Sequence, residues 1–254
     1  MAAGDWGERA FAAGYSKLYA HRSLEAARTE VSGLRNWIGP GAWNGPVLDA
    51  GCGAGRHVAA LRAHGVNAFG LDRALPLLCE APRELRPRLL RADLRAPPLS
   101  PASLVGALLL FQVLGHGSPE ADLAILRALH TALRPGGFVV VDLLASDGLS
   151  DRLVCSERQN AAGWIWQIER RIQGGRVQKW VRGAEQAGPG RVEWCEDLRI
   201  VDADQLAGLL AAAGFHHIQF AGDLAGGRGD PRAPRIVALA RRAPEPARSS
   251  DPSR

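Results

Sequence analysis

The chain has 254 residues, 46% of them hydrophobic, enough for a sizeable core and too many for a globally disordered protein. No apolar run reaches the ~20 residues that a membrane helix needs; the longest, at 104–114, has the length of a buried strand. The formal charge of +5 is carried by arginine, Lys17 and Lys179 being the only lysines, and several arginines form Arg-Arg pairs or lie in the C-terminal stretch, so the charge alone does not point to nucleic acid.

Residues 1–8 contain acidic side chains and no apolar stretch of signal-peptide type. Helical patterns at 6–19 and 23–38 precede the first strand, where an N-terminal cover over 1–40 would sit. A strand at 47–50 runs into a glycine turn, and a helix over 56–64 ends at Gly65. A strand at 67–71 is closed by Asp72 and a strand at 89–92 by Asp93. The run 104–114 is expected as one central strand covered on both faces. Apolar positions 123, 126, 129 and 133, with Pro119 in the first turn, predict a helix over 119–133. Arg134-Pro135-Gly136-Gly137 is a turn before a strand at 138–144. Such alternation argues for an α/β, Rossmann-like parallel sheet with helices on both faces.

The period changes after residue 150. Residues 164–172 alternate, with Trp164, Trp166, Ile168 and Ile172 on one side; Gly174-Gly175 is a hairpin signal, and 176–182 and 192–200 answer as strands. Residues 160–200 thus read as a small antiparallel insert. A helix over 202–213 stops at Gly214, and strands at 216–220 and 235–240 close the sheet. The whole is one domain over 1–242, with seven strands in the main sheet and a disordered tail at 243–254. Cysteines 52, 79, 155 and 195 are scattered, with no His at ligand spacing, and His216-His217 has no third partner; reduced thiols and no metal are expected.

The glycine turn, Asp49-Ala50-Gly51-Cys52-Gly53-Ala54-Gly55, brings backbone close to a ligand. Dinucleotide enzymes space their glycines Gly-x-Gly-x-x-Gly; here the third comes one place early. Asp49, just before the turn, would repel a phosphate but suits an ammonium group. Asp72 and Asp93, taken singly, read equally well as ligand contacts or as caps.

The run 47–57 resembles motif I of class I S-adenosylmethionine-dependent methyltransferases, in a form close to bacterial small-molecule and peptide N- or O-methyltransferases. Gly70-Leu71-Asp72, Arg91-Ala92-Asp93-Leu94, Leu133-Arg134-Pro135-Gly136-Gly137-Phe138 and the Ala-Gly-Phe ending at Phe215 match the family's later motifs in order. The resemblance covers about 45–145 and 195–242. It implies S-adenosylmethionine as cofactor and S-adenosylhomocysteine as product. It also implies a cofactor set: Asp49, Gly51, Cys52, Gly53, Gly55 and Arg56 at the turn; Asp72 on the ribose hydroxyls with Arg73 beside it; Asp93 on the adenine amino group with Leu94; and Phe111 and Gln112 after the fourth strand. Tyr15, Tyr19 and Arg22 resemble the cover that relatives fold over the methionine end, where Arg22 or Arg56 would pair with the carboxylate. Cys52 reads as a small filler. The chain departs from relatives at Ser103-Leu104-Val105-Gly106, which lacks an acidic residue, and at Gly226-Gly227-Arg228-Gly229, which lacks an aromatic.

The methyl acceptor should meet the cofactor at 111–116, beyond the fourth strand. Methyl transfer is an in-line displacement in which alignment does most of the work, and a base is needed only for a protonated acceptor. No Asn/Asp-Pro-Pro-Tyr segment follows this strand, which argues against exocyclic amino methylation of nucleic-acid bases, and no cysteine, which argues against a covalent pyrimidine mechanism. His116 is the candidate base; a loop histidine bonded to backbone is the competing reading. His57 reads as a helix-start residue. Trp164, Trp166, Trp180 and Trp194 could wall the acceptor, pack the hairpin on the main sheet, or make a homodimer contact. The expected protein is a cytoplasmic methyltransferase acting on an N or O atom of a small molecule or peptide. An RNA-directed methyltransferase, a nucleotide-dependent oxidoreductase and a catalytically silent binding subunit are the rivals.

Overall fold

The computed structural model describes residue 11 and residues 14–227 and 235–244. Eleven strands are found there: β1 (Pro46–Ala50), β2 (Asn67–Asp72), β3 (Leu89–Arg91), β4 (Leu104–Leu109), β5 (Leu133–Leu144), β6 (Ser156–Ala161), β7 (Trp164–Gln173), β8 (Arg176–Glu185), β9 (Arg191–Arg199), β10 (Phe215–Ala221) and β11 (Arg235–Arg242). The helices are α1 (Tyr15–Leu18), α2 (Leu24–Ile38), α3 (Arg56–Ala63), α4 (Leu75–Glu80), α5 (Pro119–Ala132), α6 (Leu149–Arg152) and α7 (Ala203–Ala212).

Seven strands form one sheet in the order β10-β11-β5-β4-β1-β2-β3. It is parallel except for β11, which runs antiparallel to both β5 and β10. Strands β6 to β9 form a separate antiparallel sheet in sequence order. This is the expected Rossmann-like seven-stranded sheet with an antiparallel insert.

Period-two alternation in the central strands divides the core. Val47, Leu108, Phe138 and Val140 face α2 and α3, packing with Val31, Leu34, Val58 and Leu61. Leu48, Leu109, Val139 and Val141 face α5 and α7, packing with Leu126, Leu129, Leu206 and Leu210. Strands buried on both faces must be apolar at nearly every position, and β1, β4 and residues 138–144 of β5 are so apart from Asp49 and Asp142. Helix ends follow their caps. Ser23 and Ser118 accept from the Ala26 and Ala121 amides, and Asp202 and Gln205 form a capping box that opens α7.

Three expectations need correction. The apolar run 104–114 is not one strand: β4 stops at Leu109, and Phe111 and Gln112 take φ of 62° and 66°. Leu110 and Leu114 are nonetheless buried, which is why hydrophobicity alone does not mark the exit. The insert holds a fourth strand, β6, starting at Ser156; its sequence Ser-Glu-Arg-Gln-Asn-Ala is polar up to its last residue, so no apolar alternation marks it. The Arg134-Pro135-Gly136-Gly137 turn lies within β5, with Gly136 at φ 78° and a break in register against β4. Of the helix expected over 6–19, Tyr15–Leu18 is described; residues 1–10 and 12–13, Arg228 and Gly229, and the tail beyond 244 lie outside the described residues.

Candidate functional site

β1 ends in the glycine turn, and Gly51, Gly53 and Gly55 all have positive φ (78°, 54° and 81°). Gly51 also has no room for a side chain, since a Cβ there would lie 2.8 Å from the Val113 side chain. The turn is tied to β2: the Gly51 amide donates to the Leu71 carbonyl at 2.7 Å, and the Gly53 amide donates to Asp72 Oδ2 at 2.8 Å. Asp72 Oδ1 accepts from the Ala74 amide at 2.8 Å. Burial raises the Asp72 pKa, and these two amides work against the rise. Cys52 is buried against Gly70 of β2, where its sulfur fills the space a side chain would take, and burial pushes its thiol up; it is a filler, as expected.

Asp49 is 2% exposed, and its Oδ2 has no hydrogen-bond partner among the described residues. Burial raises its pKa, opposed by the charges of His57 and Arg56. Arg56 Nη1 and His57 Nε2 both meet Glu30 Oε2 at 2.8 Å, while Arg56 Nη2 is buried without an acceptor among the described residues. Burial acts to raise the Glu30 carboxyl, but the His57 hydrogen bond and the Arg56 charge outweigh it and hold it below the usual range. His57 is thus a buried partner of Glu30 at the start of α3.

Phe111 lies among three guanidinium groups: those of Arg235, Arg56 and Arg22 are 4.2, 4.3 and 5.1 Å from its ring centre. Its left-handed backbone is held by Asp142, whose Oδ2 accepts the Phe111 amide at 2.7 Å and whose carbonyl accepts the Gln112 amide at 3.1 Å. Asp142 is buried and pairs through both oxygens with Arg235. Gln112 is pinned at both ends, its Nε2 donating to the Leu114 carbonyl and its Oε1 accepting from the Leu144 amide. Two adjacent non-glycine residues at positive φ are costly, and this network over-determines them. Arg235 pairs with Asp142 and Arg56 with Glu30; Arg22 has no carboxylate partner among the described residues, its Nη1 donating to the Tyr15 hydroxyl at 3.1 Å.

Asp93 and Leu94 follow β3. The Asp93 carboxylate is half-exposed and accepts from Arg95, whose hydrogen bonds hold its pKa down to about 2. Arg73 is exposed after Asp72, and Leu94 packs against the core beneath.

His116 closes the loop that begins at Phe111. Its Nε2 is 2.6 Å from the Gln112 carbonyl oxygen, which puts a proton on that nitrogen, and burial lowers its pKa, so the ring is neutral near pH 7. The loop is clamped from outside the main sheet. Asp122 Oδ2 accepts both the Gly115 amide and Arg199 Nη2, and the Arg199 amide donates to the Gly115 carbonyl at 2.8 Å. Phe11, Tyr15 and Tyr19 extend from His116 as an aromatic series toward the insert, with ring-centre spacings of 6.2, 4.9 and 4.6 Å.

On the insert, Trp164, Trp166 and Trp194 are buried with Ile168, Val181 and Leu18. Trp180 is not part of that set: it lies on the other face of β8, under Arg171. The structure therefore gathers Asp49, the glycines, Arg56, Asp72, Phe111, Gln112 and Arg22 around the carboxyl ends of β1, β2 and β4, with Tyr15, Tyr19 and His116 along one side. Sequence reasoning missed Glu30, Asp122, Asp142 and the pair Lys179 and Glu196. Two of these carried a signal: Asp142 is the one charge in the apolar run 138–144, and Lys179 sits between Val177 and Val181 on the apolar side of an alternating strand.

Residues 47–137 match the family described as Methyltransferase domain. Over 109 residues the chain is 36% identical to the malonyl-[acyl-carrier protein] O-methyltransferase of Pseudescherichia vulneris, a match that spans 41% of this chain and 41% of that relative. Among solved structures, an S-adenosylmethionine-dependent methyltransferase from Clostridium acetobutylicum superposes with a TM-score of 0.77 at 15% identity, covering 90% of this chain and 96% of that one. The amino pentose methyltransferase CalS10 from Micromonospora echinaspora gives 0.65 at 22% identity, covering 90% and 96%. At these identities the likeness is one of fold.

Proposed function

We propose that this chain, whose residues 47–137 match a methyltransferase domain and whose fold is Rossmann-like, is a single-domain enzyme that transfers the methyl group of S-adenosylmethionine to an N or O atom of a small molecule or peptide. The observation that carries this reading is a complementary pair of unmet needs beside the glycine turn. Among the described residues Asp49 Oδ2 lacks a donor and Arg56 Nη2 an acceptor, and Arg22 has no carboxylate partner, its Nη1 donating to the Tyr15 hydroxyl. An α-amino acid end, with one ammonium and one carboxylate, answers both. A pyrophosphate would meet the Asp49 carboxylate instead.

The cofactor, when bound, supplies an activated methyl group on a sulfonium. This chain's residues bind and orient. Asp49 would take the ammonium, Arg22 and Arg56 the carboxylate, and Asp72, its carboxylate fixed by two amides, the ribose hydroxyls. Asp93 would reach the adenine amino group only in competition with Arg95. The clamped loop from Phe111 to His116 positions the acceptor and excludes water, and His116 is the candidate base. The acceptors named for the relatives, malonyl-[acyl-carrier protein] and an amino pentose, support the N-or-O reading and leave the acceptor to be found.

Calorimetric titration with S-adenosylhomocysteine tests the cofactor: absence of binding by the folded protein overturns it. Methyl-labelled cofactor incubated with fractionated cell extract then names the acceptor class. Label entering an RNA fraction, or no fraction, overturns the small-molecule or peptide reading.

A further inference from the structure

The tryptophan-bearing face of the insert includes one row made wholly of charged residues. Across the paired strands, Trp166, Gly183 and Val192 make one row, Ile168, Val181 and Trp194 the next, and Arg170, Lys179 and Glu196 the third. Arg170 is paired with Glu157. Lys179 and Glu196 are only 7% and 8% exposed. Lys179 Nζ donates to the Tyr19 hydroxyl and lies 3.3 Å from Glu196 Oε1, which also accepts from Trp194 Nε1 at 3.1 Å and from the Tyr19 hydroxyl at 3.4 Å.

Burying an ion pair in an apolar face generally stabilises less than two apolar side chains would, so packing alone gives no reason for this one. What the pair does is geometric. It occupies both the acceptor and the donor capacity of the Tyr19 hydroxyl, which fixes the ring. The Arg22 guanidinium lies 3.8 Å from the centre of that ring, and it also meets the Tyr15 hydroxyl and the rings of Tyr15 and Phe111. A chain of contacts thus runs from Glu196 and Lys179 through Tyr19 to the one guanidinium of the Phe111 group that has no carboxylate partner among the described residues.

We propose that Lys179 and Glu196 are positioning residues that set Arg22, through Tyr19, to receive a carboxylate. The insert would then govern how firmly the amino acid end of the cofactor is held. This rests on the cofactor reading above. It assigns a binding role to two residues that lie on a different sheet from the glycine turn and touch no ligand themselves.

The test compares two ligands on the full chain: S-adenosylhomocysteine, and 5′-methylthioadenosine, which keeps the nucleoside and thioether but has no carboxylate. The variant K179M/E196Q removes the ion pair while keeping side-chain bulk. Its dissociation constant for S-adenosylhomocysteine should rise about tenfold with that for 5′-methylthioadenosine unchanged, and combining it with R22A should add nothing to the loss from R22A alone. Unchanged affinity for S-adenosylhomocysteine, equal losses for both ligands, or losses that add to those of R22A each overturn the proposal. If near-ultraviolet circular dichroism shows that K179M/E196Q does not fold, Y19F carries the same comparison, since it keeps the ring and deletes the hydroxyl held by the pair. Failure of the wild-type chain to bind either ligand overturns the cofactor reading itself. Wild-type binding with indifferent variants overturns only this inference.

Discussion

The glycine turn after β1 and the loop after β4 leave neighbouring strands of one sheet, yet they reach left-handed backbone by different means. At the turn, three glycines adopt positive φ without strain, and the backbone is tied to β2 beside it. At the loop, Phe111 and Gln112 adopt positive φ against their own preference and are held there by Asp142, which Arg235 holds in turn from a strand far along the chain. The first device is local and cheap to form. The second stores strain and depends on buried charge, so the cofactor side of the cleft should tolerate damage elsewhere, whereas the acceptor side should fail when one distant pair is broken.

The sharpest way to break this contrast is D142A. It leaves the Phe111 amide and Arg235 unpartnered, and should lower unfolding free energy by about 3 kcal/mol in urea denaturation. A loss below about 1 kcal/mol would show that the loop does not need its tether. D72A comes next and should act on the opposite quantity. S-adenosylhomocysteine should bind on the order of 100-fold more weakly, with cooperative unfolding retained; an unchanged dissociation constant in calorimetry would remove Asp72 from the site.

D49N separates binding from stability by sign. Burial raises the folded-state pKa of Asp49 above its unfolded value of roughly 3.9. The stability it contributes is therefore present below that value and is lost as pH rises through the raised folded pKa. D49N should then melt higher than the wild type at pH 7, the difference closing toward pH 4, while S-adenosylhomocysteine binding weakens about tenfold. A lower melting temperature at pH 7 would contradict the burial argument. The smallest effect is expected from R95A. The Asp93–Arg95 pair is exposed, so melting should barely move, and cofactor affinity should change less than about threefold.

How much could be read in advance follows the same division. Most of the order of strands and helices, the glycine turn, Asp49, Asp72 and the extents of α2, α5 and α7 were legible, because each depends on residues within a few positions of one another. The polar strand β6 was not, since its partner β7 supplies the register and the burial that its own residues lack. Nor was the end of β4, because Leu110 and Leu114 stay buried beyond it.

Glycine spacing and period-two apolar strands act over short range, so the Rossmann-like sheet and the half of the cleft built on backbone turns follow from local residue patterns. Which charges meet depends on the folded chain. Asp142 with Arg235 is separated by 93 positions, Asp122 with Arg199 by 77 and Tyr19 with Lys179 by 160. A charged side chain carries no local signature of its partner, and in a low-dielectric interior it is the partner that decides whether the charge holds a loop, a ring or a ligand.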